Sequence, residues 1–235
     1  LWVLWGKPKA LQAGNAMCCI SDRMLLQVAD HGVSPTVTLE LSSNLTNRYM
    51  EMIEGQYLDL RFEDRLDVTV SQYLDMASKK TGALIECAMF IGSLLATQNH
   101  QIAHAVGRCG RLLGLAFQIR DDILGIWGNP DVTGKPTGTD IYRRKKSLPI
   151  VYTMEQATEN DRTNLITIYQ QNSVSKQDAQ TVLDIMEHYD ARNHAQSIAE
   201  NKCQEAIHTL DHLHVTTAEK TNLETIASYI VQRDQ

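Results

Sequence analysis

Residues 114–128 read Gly-Leu-Ala-Phe-Gln-Ile-Arg-Asp-Asp-Ile-Leu-Gly-Ile-Trp-Gly. Apolar residues recur there at helical spacing, and two adjacent carboxylates, Asp121 and Asp122, interrupt them. Burying charge without a partner is costly, so like charges on an apolar helix ask for a cation. Gly114, Gln118 and Asp122 follow one another at i, i+4 spacing, and Asp121 is three residues from Gln118, so all are expected near one face. An oxygen-only set of this kind suits a hard divalent cation such as Mg²⁺.

The flanking sequence adds cations. Asn129-Pro130 ends the helix, and Gly134 and Gly138 punctuate a loop. That loop carries Lys135, and Asp140, Arg143, Arg144, Lys145 and Lys146 follow. Metal held by carboxylates, with ammonium groups nearby, is the composition a diphosphate needs.

Proline occurs only at 8, 35, 130, 136 and 149, and no glycine follows Gly138. Long helices are therefore expected, at about 8–31, 36–63, 70–96, 99–127, 147–157, 160–171, 175–212 and 216–233. Gly32-Val33-Ser34-Pro35 reads as a break with a cap, and Ser175-x-x-Asp178 as a capping box. No strand series, repeat or low-complexity tract is visible. The class is all-α, read as one domain whose residues after 150 form an outer layer.

Composition narrows the function. The 235 residues are 43% hydrophobic and 21% charged, an ordinary globular balance. A net charge of −6 with no broad basic face argues against nucleic acid. No run of eighteen apolar residues is present, so no membrane span is expected. Five cysteines, an odd number without a CxxC pair, read as reduced thiols of a cytoplasmic protein. The opening Leu-Trp-Val-Leu-Trp-Gly lacks the basic lead and cleavage site of a signal peptide, and the sequence is expected to be part of a longer protein.

Three further groups carry potential chemistry. Gln56 and Asp59 lie three apart on one helix side, Lys80 and Thr81 sit among apolar residues, and Asn15 is polar among small ones. Each alone fits a solvated helix face. The stripe Met50, Ile53, Tyr57, Leu60 reads as core, and the His100/His104 and His208/His212 pairs as solvated faces without a third zinc ligand. No Ser-His-Asp or Cys-His constellation, Walker loop or GxGxxG motif appears.

The order of these pieces is more specific than any one of them. Gly55-Gln56-x-x-Asp59-Leu60, Lys80-Thr81, Phe117-Gln118-x-x-Asp121-Asp122, Lys135, Asp140, Lys145 and Leu148-Pro149 closely resemble the trans-isoprenyl diphosphate synthases, or polyprenyl synthetases. The resemblance implies a bundle of long helices around a central cavity, with two aspartate-rich motifs facing each other. Asp121-Asp122-Ile-Leu-Gly125 resembles the second motif, usually Asp-Asp-x-x-Asp. By that likeness Asp121 and Asp122 bind Mg²⁺, while Lys80, Lys135 and Lys145 hold the allylic diphosphate with Gln118 and Thr81 beside them. Gln56 and Asp59 line the reacting centre.

The implied reaction joins isopentenyl diphosphate to an allylic prenyl diphosphate, giving a farnesyl- or geranylgeranyl-type diphosphate, in a homodimer whose candidate contact helices are 8–31 and 36–63. The likeness is imperfect. Gly125 replaces the third aspartate, and Asn15 stands where the family usually has Asp. The first motif is expected before Leu1, because Trp-x-x-Trp-Gly-x-x-x-Ala-x-x-Ala-Gly, here residues 2–14, commonly follows it. Two other readings use the same residues: a class I terpene cyclase, and a non-catalytic subunit of a heteromeric prenyl synthase.

Overall fold

A computed structural model describes residues 2–129, 137–211, 213 and 217–233, and every regular element among them is helical. The helices are α1 (Trp2–Trp5), α2 (Lys7–Leu26), α3 (Pro35–Glu63), α4 (Val70–Ala77), α5 (Ala83–Thr97), α6 (His100–Trp127), α7 (Thr139–Tyr142), α8 (Leu148–Gln156), α9 (Glu159–Tyr169), α10 (Lys176–His188), α11 (Ala191–His208) and α12 (Thr217–Gln232). A 3₁₀ turn spans Gln27–His31, and a π-helical turn, Ser78–Gly82, joins α4 to α5. The chain divides into two compact units, Leu1–Met50 and Glu51–Gln235.

In the first unit, α2 buries none of its residues, and Trp2, Trp5, Leu11, Met17, Ile20 and Met24 are exposed. Gly32, at φ 88°, closes the 3₁₀ turn, and the Ser34 hydroxyl accepts from the Val37 amide at 3.3 Å. The break expected from Gly-Val-Ser-Pro is therefore present. A left-handed φ costs glycine nothing, and the serine oxygen satisfies an otherwise unpaired amide of the first turn.

The second unit is built on α6. This helix packs against α4, α5, α8, α11 and α12, and it buries Leu113, Ala116, Ile119, Ile123 and Ile126. Each fully buried isoleucine there contributes about 1.5–3 kcal/mol through lost contact with water. Small residues bring the backbones close: a Cβ on Gly114 would lie 2.8 Å from the Gly82 Cα. Caps close the ends. Thr69 and Gln72 form a capping box for α4, Asn99 caps α6, and Ser175 with Asp178 forms the expected box on α10.

Two expectations change. The segment 175–212 is two helices, broken at Asp190, which adopts φ 52°. No Gly or Pro marks that break. Tyr189 instead accepts from the Thr158 amide at 2.9 Å and donates to Asp161 at 2.8 Å, tying the turn to α9. The stripe Met50, Ile53, Tyr57, Leu60 is exposed, not core. Separately, Val70–Thr97 is long and apolar enough to cross a membrane by length and composition only. Glu86 interrupts its most apolar part, 83–96, so it contains no eighteen consecutive apolar residues. Its inner residues Cys87, Phe90 and Leu94 are buried.

Candidate active site

All the described site residues that come together lie in the second unit. Asp122 is completely buried on α6. One of its oxygens accepts from the Tyr73 hydroxyl at 2.5 Å and the Leu148 amide at 2.9 Å. The other accepts from Lys145 Nζ at 2.7 Å and Gln118 Nε2 at 3.3 Å. With donors from α4, α6, α8 and the turn before it, this carboxylate is an anchor for the bundle. Burial first, and then the Asp122 charge, push the Tyr73 phenol well above its ordinary pKa, so it stays a donor.

Asp121, its neighbour in sequence, points elsewhere. Its side chain is 51% exposed, and Arg233 Nη2 stands 3.8 Å away. That guanidinium lies 3.9 Å above the Phe117 ring, and Arg120 holds the Arg233 carbonyl at 2.8 and 3.0 Å. The sequence treats the two aspartates as equivalent; the structure makes one accessible and surrounds the other with protein donors.

The π turn aims the next cations. An extra residue in the turn shifts the side-chain register, and such turns recur at functional sites. Lys79 pairs outward with Glu54 and Asp75, at 2.8 and 3.0 Å. Lys80 pairs with Asp59 of α3 at 2.5 Å, and the Thr81 hydroxyl donates to Gln118 Oε1 at 2.8 Å. Gly55 allows this approach, since a Cβ there would stand 2.3 Å from the Lys80 backbone nitrogen. Thr81, Gln118, Asp122 and Lys145 thus form one hydrogen-bonded chain, and Lys145 continues to Asp140 at 3.3 Å.

The basic run disperses. Arg143 is exposed, Arg144 donates to the Gln171 carbonyl, and buried Lys146 lies 5.1 Å from the Tyr169 ring centre. Within it, Lys145 alone is the residue that reaches Asp122. Burial disfavours its charge, but Asp122 and Asp140 outweigh that and hold the ammonium above its ordinary pKa. Burial, with Asp122 nearby, raises the Asp140 carboxyl against the pull of Lys145.

Gln56 is exposed on α3, Asn15 is exposed on α2, and Lys135 lies outside the described residues. Of the histidines, His104 packs on Phe90 and His208 pairs with Asp211, while His212 is outside the described residues. Sequence reasoning missed Tyr73, whose apolar neighbours make it read as core. It also missed Arg111, which makes a fork to Glu51 at 2.6 and 2.8 Å and also bonds Glu86. Those acids stand 60 and 25 positions from it, too far for any local pattern to reveal.

No three His, Cys, Asp or Glu side chains among the described residues converge to hold a metal by themselves. Magnesium nonetheless fits the donor chemistry. Mg²⁺ is commonly bound by one or two carboxylates, waters and substrate phosphate oxygens. The carboxylates of Asp59, Asp121, Asp122 and Asp140 also outnumber the ammonium groups of Lys80 and Lys145.

A model of the polyprenyl synthetase family matches residues 1–186. The chain is 33% identical over 236 aligned positions to a (2E,6E)-farnesyl diphosphate synthase of Mycobacterium tuberculosis, covering 99% of this chain and 64% of that protein. It is 34% identical to a geranylfarnesyl diphosphate synthase of Aeropyrum pernix, covering 98% and 72%. Among solved structures, a geranylgeranyl pyrophosphate synthetase from Pyrococcus horikoshii superposes with a TM-score of 0.88 at 30% identity, covering 99% of this chain and 69% of that one. The all-helical architecture, the order of the motifs and these relationships place the chain in the polyprenyl synthetase family.

Proposed function

We propose that this chain carries the allylic-diphosphate half of a Mg²⁺-dependent prenyltransferase, which joins isopentenyl diphosphate to an allylic diphosphate and yields a farnesyl- or geranylgeranyl-type product. The observation that carries the proposal is the exposed Asp121 carboxylate, next in sequence to the fixed chain Thr81–Gln118–Asp122–Lys145. Asp121 is the residue assigned to metal, and Asp122 is assigned to holding Lys145, Tyr73 and the start of α8.

Magnesium, when bound, neutralises charge on the departing diphosphate. The protein's own groups do the rest. Lys80, steadied by Asp59, and Lys145, steadied by Asp122, each present an ammonium to phosphate oxygens. Thr81 and Asp122 together set the orientation of the Gln118 amide. No enzyme nucleophile is required, because ionisation leaves a carbocation that the second substrate's π bond attacks, and the released pyrophosphate takes the proton. Lys135 belongs to the same diphosphate site in this reading, and Gln56 with Asp59 lines the reacting centre.

The exposed apolar residues of α2, with Leu39 of α3, support a homodimer contact. The free thiols of Cys18, Cys19, Cys109 and Cys203 support a reducing, cytoplasmic setting.

The test is product analysis by the full-length protein with Mg²⁺, isopentenyl diphosphate and allylic diphosphates. A lengthened prenyl diphosphate and released pyrophosphate are expected. Asp121→Ala should lower turnover by orders of magnitude while helical circular dichroism is retained. Product made without isopentenyl diphosphate would favour a cyclase. No turnover, coupled with tight association to an active synthase, would favour the non-catalytic subunit.

A further inference from the structure

Gly125 stands one helical turn beyond Asp121, where a third acid would project from α6. A Cβ built there would lie 2.4 Å from Asp140 Oδ2, 2.6 Å from its carboxyl carbon and 3.0 Å from Oδ1. The Asp140 carboxylate therefore occupies the volume in which any side chain at 125 would begin. Asp140 comes from α7, not α6, and its place is set by backbone bonds on both sides. The Gly138 amide donates to the Ile126 carbonyl at 3.0 Å, and the Lys145 amide donates to the Asp140 carbonyl at 3.0 Å. Gly138, at φ 74°, makes the turn that delivers it.

From that seat Asp140 shares Lys145. The ammonium is 3.3 Å from Asp140 Oδ2 and 2.7 Å from Asp122 Oδ1. A flexible lysine held at two points keeps one direction, whereas one held at a single point retains rotamer freedom.

We propose that Asp140 is the third carboxylate of this diphosphate site, a positioning residue supplied by α7 through the space that Gly125 leaves, which with Asp122 fixes Lys145 for phosphate oxygens. Gly125 is then the opening that admits the Asp140 carboxylate. The role in diphosphate binding rests on the function proposed above; the seat rests on geometry alone.

The experiment uses the full chain and two readouts: the thermal midpoint, and Mg²⁺-dependent affinity for inorganic pyrophosphate by calorimetry. Gly125→Ala should lower the midpoint in the unaltered protein and have little effect in an Asp140→Gly background. Asp140→Gly should weaken pyrophosphate binding about tenfold, as loss of a charge-assisted contact does. Asp140→Asn, which keeps the shape, should weaken it likewise and guards against misfolding of the glycine variant. The double variant Gly125→Ala/Asp140→Gly should stay weak, whereas Gly125→Asp/Asp140→Gly, which returns the carboxylate to α6, should recover affinity.

Equal destabilisation by Gly125→Ala in both backgrounds would overturn the seat. Equal affinities of the two double variants would overturn the positioning role. Absence of pyrophosphate binding by the unaltered protein would overturn the functional reading and the positioning role with it, while the midpoints would still decide the seat.

Discussion

Two aspartate–lysine clusters in this chain share a contact length and differ in everything else. Lys145 meets Asp122 at 2.7 Å, and Lys220 meets Asp211 at 2.7 Å. Asp122 is completely buried, and Tyr73, Leu148 and Gln118 also donate to it. Asp211 is 35% exposed and has His208 as its second partner. Distance therefore does not set the worth of an ion pair. Water screens the exposed pair and replaces its partners when it breaks, whereas a buried carboxylate has no substitute donors.

The largest expected effect breaks the buried side. Asp122→Ala leaves the Lys145 ammonium with Asp140 alone, strands the Tyr73 hydroxyl and the Leu148 amide, and should cost about 3–5 kcal/mol, read as a drop in the denaturant midpoint. Gly55→Ala asks whether close packing matters there as much as charge. Its methyl meets backbone, which cannot swing away, and about 1–3 kcal/mol should be lost. Asp121→Ala, adjacent in sequence, should change stability by less than about 0.5 kcal/mol. Its loss should appear instead in calorimetry, as Mg²⁺-dependent pyrophosphate binding at least about tenfold weaker. A large fall in stability for Asp121→Ala would erase the distinction between the two aspartates.

The smallest effect lies on the exposed side and depends on pH. Lys220, then His208, draw the Asp211 carboxyl down to about 2. A depressed acid contributes stability that is present above its ordinary value and lost as pH falls through the folded one. Asp211→Asn should lower the thermal midpoint slightly at neutral pH, and the difference from the unaltered protein should vanish as pH falls from the usual carboxylate range to about 2. A shift at neutral pH as large as that of Asp122→Ala would show that exposure does not govern these pairs.

Much of the fold was legible because its signals are local. The Ser175–Asp178 box and the Ser34-Pro35 start act over one turn, and the pattern at 114–128 already reads as a helix interrupted by acids. The break at Asp190 was not legible, since it depends on Tyr189 bonding to α9. The stripe from Met50 to Leu60 has core-like periodicity, and periodicity alone cannot say whether a partner covers it.

The site divides along the same line. Residue types and their order on the chain were enough to read an all-helical class and to nominate a metal–diphosphate chemistry with the candidates Lys80, Thr81, Gln118, Asp121, Asp122 and Lys145, because charge, helix propensity and motif spacing are properties of the chain itself. Tertiary structure alone decided which of two neighbouring aspartates faces solvent, and that Asp140 fills the space at Gly125. Adjacent helical residues differ by only about 100° in direction. What turns Asp122 inward is the set of donors brought by Tyr73, Lys145 and Leu148, which are 49, 23 and 26 positions away and meet it only once the bundle has formed.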